Sequence, residues 1–315
     1  MKTFNKFQLL VCFSLVSAMI FIASCSKDRQ QNKVTAASYV PVNDFYNNNA
    51  PPEQTFTIDS LGGDTIKAMD GTKIWGVPKT IFMYKSNHQD IIYPFTLKLI
   101  EAYSMKNMIL EQLQNVAQGN ILKSGGELKI TAFKDTNTLL LKQNCGLHMW
   151  SPSITTPPDN SMKVFYGFTK NTLDDWNIDV TQTDFLFPTD TVTKLTVSGN
   201  GYAMKITKLG WLGPDHTFTY STSNVTFSVN GSTTNTNYID VYVIFKNRHS
   251  FIKVSSSAAN NLPTGEPITV FAIAKDSNGQ MYYFKQDYTI SNGLAIPLTM
   301  NTTTEAQILS LMSSL

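Results

Sequence analysis

A cysteine near the amino terminus has the clearest chemistry in this sequence. Cys25 follows an apolar run from Phe7 to Ile22, and Lys2 and Lys6 make the start basic. A basic start, an apolar run and small residues before the cut are typical of a secretory signal peptide, with the cysteine as lipid acceptor. The run is shorter than the roughly 20 apolar residues of a membrane span. We therefore expect residues 1–24 to be a lipoprotein signal peptide and Cys25 to be lipidated, the alternative being an ordinary signal peptide with a chance cysteine.

A second thiol could act as a nucleophile. Cys12 leaves with the signal peptide and Cys25 is acylated, so Cys145 is left alone and no intrachain disulfide can form. His148 lies three residues further on, which suggests a Cys–His dyad. The pair falls in a predicted loop, however, and no oxyanion donor can be named. We interpret Cys145 as a buried structural thiol, and a surface hydrolase stays an alternative.

The acidic and imidazole side chains form no recognisable catalytic or metal pattern. Asp174, Asp175 and Asp179 lie around Trp176, but a glycosidase needs two carboxylates about 5 to 9.5 Å apart across one sugar bond. A calcium loop needs ligands at alternating positions and a glycine turn. We interpret these aspartates as a solvated loop and expect no metal and no cofactor. The histidines, none at a metal-ligand spacing, are His88, His148, His216 and His249.

Four tryptophans are candidates for stacking on sugars, because an aromatic ring buries the apolar face of a sugar. Trp75 and Trp211 are expected to pack in the core or between domains. Trp150 and Trp176 lie in polar, loop-like contexts, which makes them the candidate ligand-contact aromatics. Packing stays the competing interpretation for these two residues.

Three Asp-Ser/Thr-apolar triplets match the O-glycosylation pattern of Bacteroidetes. The candidate acceptors are Ser60, Thr65 and Thr191, each directly after an aspartate and before an apolar residue. In a chain this rich in serine and threonine, about one such triplet is expected by chance. The triplets are therefore candidate modification sites and nothing more.

The charge balance excludes one class of partner. The formal net charge of +2 falls to zero once Lys2 and Lys6 leave with the signal peptide. A neutral chain gives no electrostatic basis for binding nucleic acid or for a polybasic contact with a membrane. The expected membrane partner is therefore reached through the lipid on Cys25 alone.

The hydrophobic periodicity is typical of an all-β protein. Phe95 to Glu101 is the cleanest alternation, and Ser104 is expected to cap a short helix after it. Thr304 is expected to cap a helix from Glu305 to Leu315. Further alternating strands are predicted at Leu128 to Ala132, Val225 to Val229, Tyr238 to Lys246, Ile268 to Lys275 and Met281 to Ile290. Two antiparallel β-sandwich domains follow from this spacing.

The first half of the chain resembles a family. Glu101 to Ser104, a short Met-rich helix and Ser124 to Glu127 are similar to a ZU5-like β-sandwich of Bacteroidetes surface lipoproteins. Lys208 to Leu212 resembles a Leu-Gly-Trp-Ile segment of the same proteins, although the chain departs from them just afterwards. The resemblance implies a fold but no activity, since a fold does not fix function. Ser26 to Asp28 resembles their short export signal, which implies the outward-facing leaflet of the outer membrane.

These observations predict a non-enzymatic, lipid-anchored protein of the outer cell surface with a binding or structural role. Its partner would be a glycan or another surface protein, met by loops at the ends of the sandwiches. The alternatives are a glycan-binding accessory protein of a polysaccharide-uptake system and a surface hydrolase. The predicted segments are a signal peptide (1–24), a lipidated flexible tether (25–54), a ZU5-like β-sandwich (55–170), a connector (171–222), an immunoglobulin-like β-sandwich (223–300) and a C-terminal helix (301–315).

Overall fold

The computed structural model describes residues 38–59, 65–117, 119–169, 176–178, 194–230, 238–254 and 257–315. These residues form an all-β fold, as the alternation predicts, with 25 strands and three short α-helices. The helices are α1 (Asn43–Asn49), α2 (Met105–Leu110) and α3 (Glu305–Met312). The strands are β1 (Tyr39–Val40), β2 (Gln54–Ile58), β3 (Ile66–Lys67), β4 (Lys73–Trp75), β5 (Phe82–Tyr84), β6 (Phe95–Ala102), β7 (Val116–Ala117), β8 (Asn120–Ile121), β9 (Lys123–Ser124), β10 (Glu127–Lys134), β11 (Asn137–Leu141), β12 (Leu147–Pro152), β13 (Lys163–Thr169), β14 (Trp176–Ile178), β15 (Lys194–Ser198), β16 (Gly201–Ile206), β17 (Gly210–His216), β18 (Thr222–Val229), β19 (Asp240–Phe245), β20 (Ser250–Val254), β21 (Ala258–Pro263), β22 (Pro267–Asp276), β23 (Met281–Thr289), β24 (Leu294–Leu298) and β25 (Asn301–Thr303).

The first sandwich packs a nine-stranded sheet against a five-stranded sheet. The larger sheet runs β14-β13-β17-β10-β11-β5, with β6, β2 and β9 attached, and the smaller runs β15-β16-β12-β4-β3. Alternation in the first half of β6 buries Leu97 and Leu99 in one core with Ile74, Met149 and Tyr202 of the smaller sheet. The core therefore lies between the two sheets, and the opposite face of the smaller sheet is left for other uses.

The second sandwich pairs a six-stranded sheet with a three-stranded sheet. The larger sheet runs β20-β19-β22-β23-β25 with β1 on β22, and the smaller runs β21-β18-β24, in which β18 and β24 are parallel. Along β19, Tyr242 and Ile244 face one side of the sheet and Val243 the other, yet all are buried. Both faces of this sheet are therefore covered, and β19 and β22 read as continuous apolar runs rather than as alternations.

The three helices cover the outer face of the six-stranded sheet. We call this layer the junction core, because it also includes the ends of β6 and β17 from the first sandwich. Its larger members are Phe45, Tyr46, Ile100, Met105, Met108, Ile109, Trp211, Tyr242, Ile244, Phe251, Phe271, Ile273, Ile308 and Met312. Residues Ser38–Leu315 accordingly form one compact unit.

The predicted flexible tether (25–54) is wrong from residue 38 onwards. Tyr39 pairs with Asp276 at the edge of the six-stranded sheet, and Phe45 and Tyr46 of α1 are buried in the junction core. The asparagine-rich composition suggested a polar linker, but burying two aromatic side chains outweighs the low helix propensity of asparagine. Residues 25–37 lie outside the described part of the chain.

The predicted connector (171–222) is also wrong. The described part of this range contains β15, β16 and β17, which belong to the sheets of the first sandwich. Strand β17 lies between β10 and β13, where Leu212 pairs with Leu128 on one side and Tyr166 on the other. Two glycines and a proline interrupt its sequence and hide its strand character, since both residue types are depleted in strands.

Both predicted helix caps are confirmed. The Ser104 hydroxyl accepts a hydrogen bond from the backbone N–H of Asn107 at 3.1 Å, so α2 begins where expected. Thr304 and Gln307 form a reciprocal capping box at α3, which ends at Met312. No helix in the described ranges is long and apolar enough to cross a membrane.

The junction core predicts a large loss of stability on truncation. Phe251 is fully buried and meets Tyr242 edge to face, with 5.6 Å between the ring centroids. Phe251→Ala is expected to lower the free energy of unfolding by about 3–5 kcal/mol, as for other buried phenylalanines. Urea denaturation measures the loss. Ile92→Ala is the control, because Ile92 is 62% exposed and should change stability by no more than about 0.5 kcal/mol. Equal effects of the two substitutions would contradict the junction core.

Candidate ligand-binding face

The outer face of the five-stranded sheet carries an array of aromatic and basic side chains. Ile74, Met149 and Met204 point into the core, so their neighbours in sequence point outwards. We call the array the aromatic face. It consists of Lys67, Lys73, Trp75, His148, Trp150 and Lys205.

Trp150 is fixed in place by three different contacts. Its indole N–H donates a hydrogen bond to the carbonyl oxygen of Ser198 at 2.9 Å. Its ring lies over Gly201, where an added Cβ would come within 2.5 Å of a ring atom. The ammonium of Lys73 lies 5.0 Å from the ring centroid, a distance at which a cation is attracted to the aromatic face. Glycine at position 201 is therefore what lets the indole ring lie against the sheet.

Trp75 and His148 form the second aromatic pair. They are directly opposite each other on β4 and β12, and their rings stack with 6.4 Å between centroids and 24° between planes. Trp75 is 37% exposed and His148 is also exposed. Trp75 and Trp150 are diagonal neighbours on adjacent strands, an arrangement in which the Cα atoms lie about 7–8 Å apart. Both indole side chains therefore belong to the same face of the sheet.

The basic residues of the face lie in register with these rings. Lys67 pairs with Lys73, which pairs with Trp150, while Lys205 pairs with His148. Within the described part of the chain, none of these lysines forms an ion pair. The aromatic face contains no carboxylate. No described carboxylate therefore neutralises these ammonium groups, and that of Lys73 lies over the Trp150 ring.

The structure brings only one of the two predicted ligand-contact aromatics to this face. Trp150 lies on a strand, whereas the sequence predicted a loop. Trp176 begins β14 of the nine-stranded sheet, opposite Thr169 of β13. Trp211 is buried in the junction core, as predicted. The expectation that Trp75 packs internally is wrong, because it faces outwards on a strand.

Sequence reasoning missed Trp75 and the lysines for a definable reason. Lys73-Ile74-Trp75 and His148-Met149-Trp150 each place one apolar residue between two outward ones. Three residues are too few to establish a period of two, and the prolines after Trp150 favoured a loop. The matching of the two triplets is the signal that indicates a shared sheet face.

The other predicted site residues do not come together. Cys145 is half-buried, not buried as predicted, and forms no hydrogen bond with His148, whose ring stacks on Trp75. Thr65 is exposed just before β3. The described residues contain no group of three His, Cys, Asp or Glu side chains that could hold a metal ion. Cys25, Ser60, Asp174, Asp175, Asp179 and Thr191 lie outside the described ranges.

Two clefts lie beside α1. One, of about 270 Å³, is lined in part by Asp70 and Glu101. The Glu101 carboxylate is already occupied, since it accepts hydrogen bonds from the backbone N–H groups of Asp70 at 2.7 Å and Thr72 at 2.9 Å. The other, of about 340 Å³, is bordered by Tyr46 and Lys253. Glu101 therefore holds a turn and is not a free catalytic acid.

A second pair of acids is fully buried. Glu127 accepts hydrogen bonds from the Asn115 amide at 2.8 Å and the Ser124 hydroxyl at 3.0 Å. Burial, and then the neighbouring Asp215 carboxyl, raise the pKa of Glu127 well above its ordinary value. Burial raises the pKa of Asp215 to about 7. Because neither side chain reaches the surface, we assign this pair a structural role.

No protein-family model matches this chain, and no curated protein does. The crystal structure of gamma-CGTase from an alkalophilic Bacillus clarkii is similar over 75% of this chain, at 11% identity and a TM-score of 0.18. The chain spans 40% of that protein. A likeness of this degree carries no argument about either fold or function.

The buried acids predict a pH-dependent stability. The folded chain holds protons on these two carboxyl groups at pH values where the unfolded chain has lost them. The contribution of the pair to stability is therefore greatest at acid pH and is lost as pH rises through about 7. The expected slope is at most about 1.4 kcal/mol per pH unit for each proton. Asp215→Asn should reduce the decrease in stability with rising pH. Asp135→Asn, at an exposed position, should leave that decrease unchanged. Urea denaturation across pH measures both, and an unchanged slope in Asp215→Asn would contradict the assignment.

Proposed function

We propose that this chain is a non-enzymatic glycan-binding protein of the outer cell surface and that the aromatic face is its binding site. The observation that carries the proposal is that Trp75 and Trp150 share one exposed sheet face. Hydrogen-bonded or stacked neighbours hold both rings in place. A sugar presents an apolar face of C–H groups, which suits such a ring.

The shape of the site supports a polymeric ligand. The face is a sheet surface rather than an enclosed pocket, so an extended glycan chain can cross it without its ends being buried. Trp150 is held by Ser198 and Gly201 before any ligand arrives. Little side-chain entropy is then lost on binding, and this pre-organisation favours affinity.

The proposed localisation of the protein depends on its amino terminus. Cys25 carries the lipid in this proposal, and acyl chains contribute about 0.8 kcal/mol per buried methylene to membrane binding. The residues between Cys25 and Tyr39 would separate the folded unit from the bilayer. The export-like segment Ser26 to Asp28 supports the outward-facing leaflet.

Removing either ring tests the proposed function. Trp75→Ala and Trp150→Ala are each expected to weaken binding by about 1 kcal/mol, or roughly fivefold in Kd, because each removes one stacking surface. Affinity electrophoresis through gels that contain soluble polysaccharides measures the retardation. The matched control is Tyr238→Ala, an aromatic 38% exposed on the second sandwich. If both tryptophan variants were retarded as strongly as the unmodified protein, the aromatic face would not be the binding site.

Lipidation has a separate test. Full-length protein expressed in a bacterium with the lipoprotein pathway is expected to fractionate with the outer membrane, and Cys25→Ser is expected to be released from it. Cys145→Ser is the matched control, since the free thiol at this position has no part in anchoring. Mass spectrometry of the mature amino terminus identifies the acylated residue. An unmodified terminus, or a cut elsewhere, would show that the proposed anchor is wrong.

A further inference from the structure

The charge of the aromatic face is distinct from that of the chain. Without the signal peptide the chain is formally neutral, yet Lys67, Lys73 and Lys205 are gathered on this one face. None of them is neutralised by a described carboxylate. Since like charges on one face repel each other and weaken the fold, the face is suited to a ligand that brings negative charge.

We infer that the ligand of the aromatic face is an anionic glycan, with carboxylate or sulfate groups on its sugars. This inference rests on the proposed glycan-binding function and names the class of glycan. The indole rings would contact the apolar faces of the sugars, and the lysines would meet their acidic groups.

The register places Lys73 beside Trp150 and Lys205 beside His148. The Lys73 ammonium is 5.0 Å from the centroid of Trp150. Lys205 is directly opposite His148, which stacks on Trp75. The acidic groups of a glycan that crosses the array would therefore meet Lys73 beside Trp150 and Lys205 beside His148. Lysine suits this role, because its flexible stem carries a point charge that adapts to differently placed acidic groups.

A nucleic acid is the competing polyanion, because it too combines stacking bases with phosphates. Binding to it is dominated by the number of neutralised phosphates, and a face with three lysines on a neutral chain offers few contacts. A glycan needs fewer charges, because each sugar ring supplies apolar contact of its own. The observations therefore favour the glycan, and a single-stranded oligonucleotide is included in the test.

The test uses two pairs of polysaccharides that differ only in charge. The pairs are polygalacturonate with its carboxyl-reduced counterpart, and dextran sulfate with dextran. We expect at least one acidic member to bind about tenfold more tightly than its neutral partner, a difference of about 1.4 kcal/mol. This preference should shrink at high salt, because screening weakens contacts between exposed charges.

Charge variants assign the preference to this face. Lys67→Gln combined with Lys205→Gln should reduce the preference for the acidic glycan, measured as the ratio of the Kd values of the neutral and the acidic member of a pair. The control is Lys85→Gln combined with Lys163→Gln, two exposed lysines on or beside the nine-stranded sheet with no described ion pair. It changes net charge equally and should keep the preference. Thermal unfolding confirms that both double variants are folded.

The outcomes separate the inference from the function on which it rests. Equal, tryptophan-dependent binding of neutral and acidic members would overturn the inference and support glycan binding. A charge preference that both double variants keep would also overturn the inference, because another surface would be responsible. Two outcomes would overturn the proposed function and the inference together. In one, an oligonucleotide binds through the tryptophans more tightly than any of the four glycans. In the other, none of the four glycans is bound.

Discussion

The architecture depends on burying both faces of the six-stranded sheet. Strands β19 and β22 are apolar on each side, so the inner face completes a sandwich and the outer face needs a cover. That cover comes from three helices far apart in sequence, which contribute Phe45, Met108 and Ile308 among others. Trp211 of the first sandwich packs into the same layer. Hydrophobic burial at this sheet therefore ties residues near 40, the middle of the chain and its last helix into one unit.

Among the residues that the structure describes, this arrangement leaves the outer face of the five-stranded sheet uncovered. The nine-stranded sheet contributes Ile100 and Trp211 to the junction core, so it both completes the first sandwich and joins the second. The five-stranded sheet contributes only its inner face to a described core. Its outer face is therefore available for binding, whereas the loop-based site predicted from the sequence has no comparable array among the described residues.

Much of the fold could be predicted from local signals, because those signals act over a few residues. The alternation in β6 and the caps Ser104 and Thr304 are of this kind. The segment around Phe45 could not be predicted, since its helix is stabilised by partners about 200 residues away, such as Tyr242. The sequence predicted part of the aromatic face. It indicated Trp150 as a ligand-contact residue from its residue type, but the position of Trp75 beside it follows only from the pairing of β4 with β12. The sequence shows which residue types are present, whereas the pairing of the strands determines which of these residues lie close together.

The pairing that assembles the face is itself set by the core. Ile74 and Met149 are buried opposite each other. A slip of one residue in either strand would turn its buried side chain into solvent and bring Trp75 or Trp150 inwards. Since exposing a buried side chain of this size costs about 1.5–3 kcal/mol, the register is strongly held. The register that places Trp75 and Trp150 on one face is thus set by residues of the core. A binding face built this way keeps its geometry as long as the core beneath it is intact, and substitutions at the outward positions can change its charge without disturbing the fold.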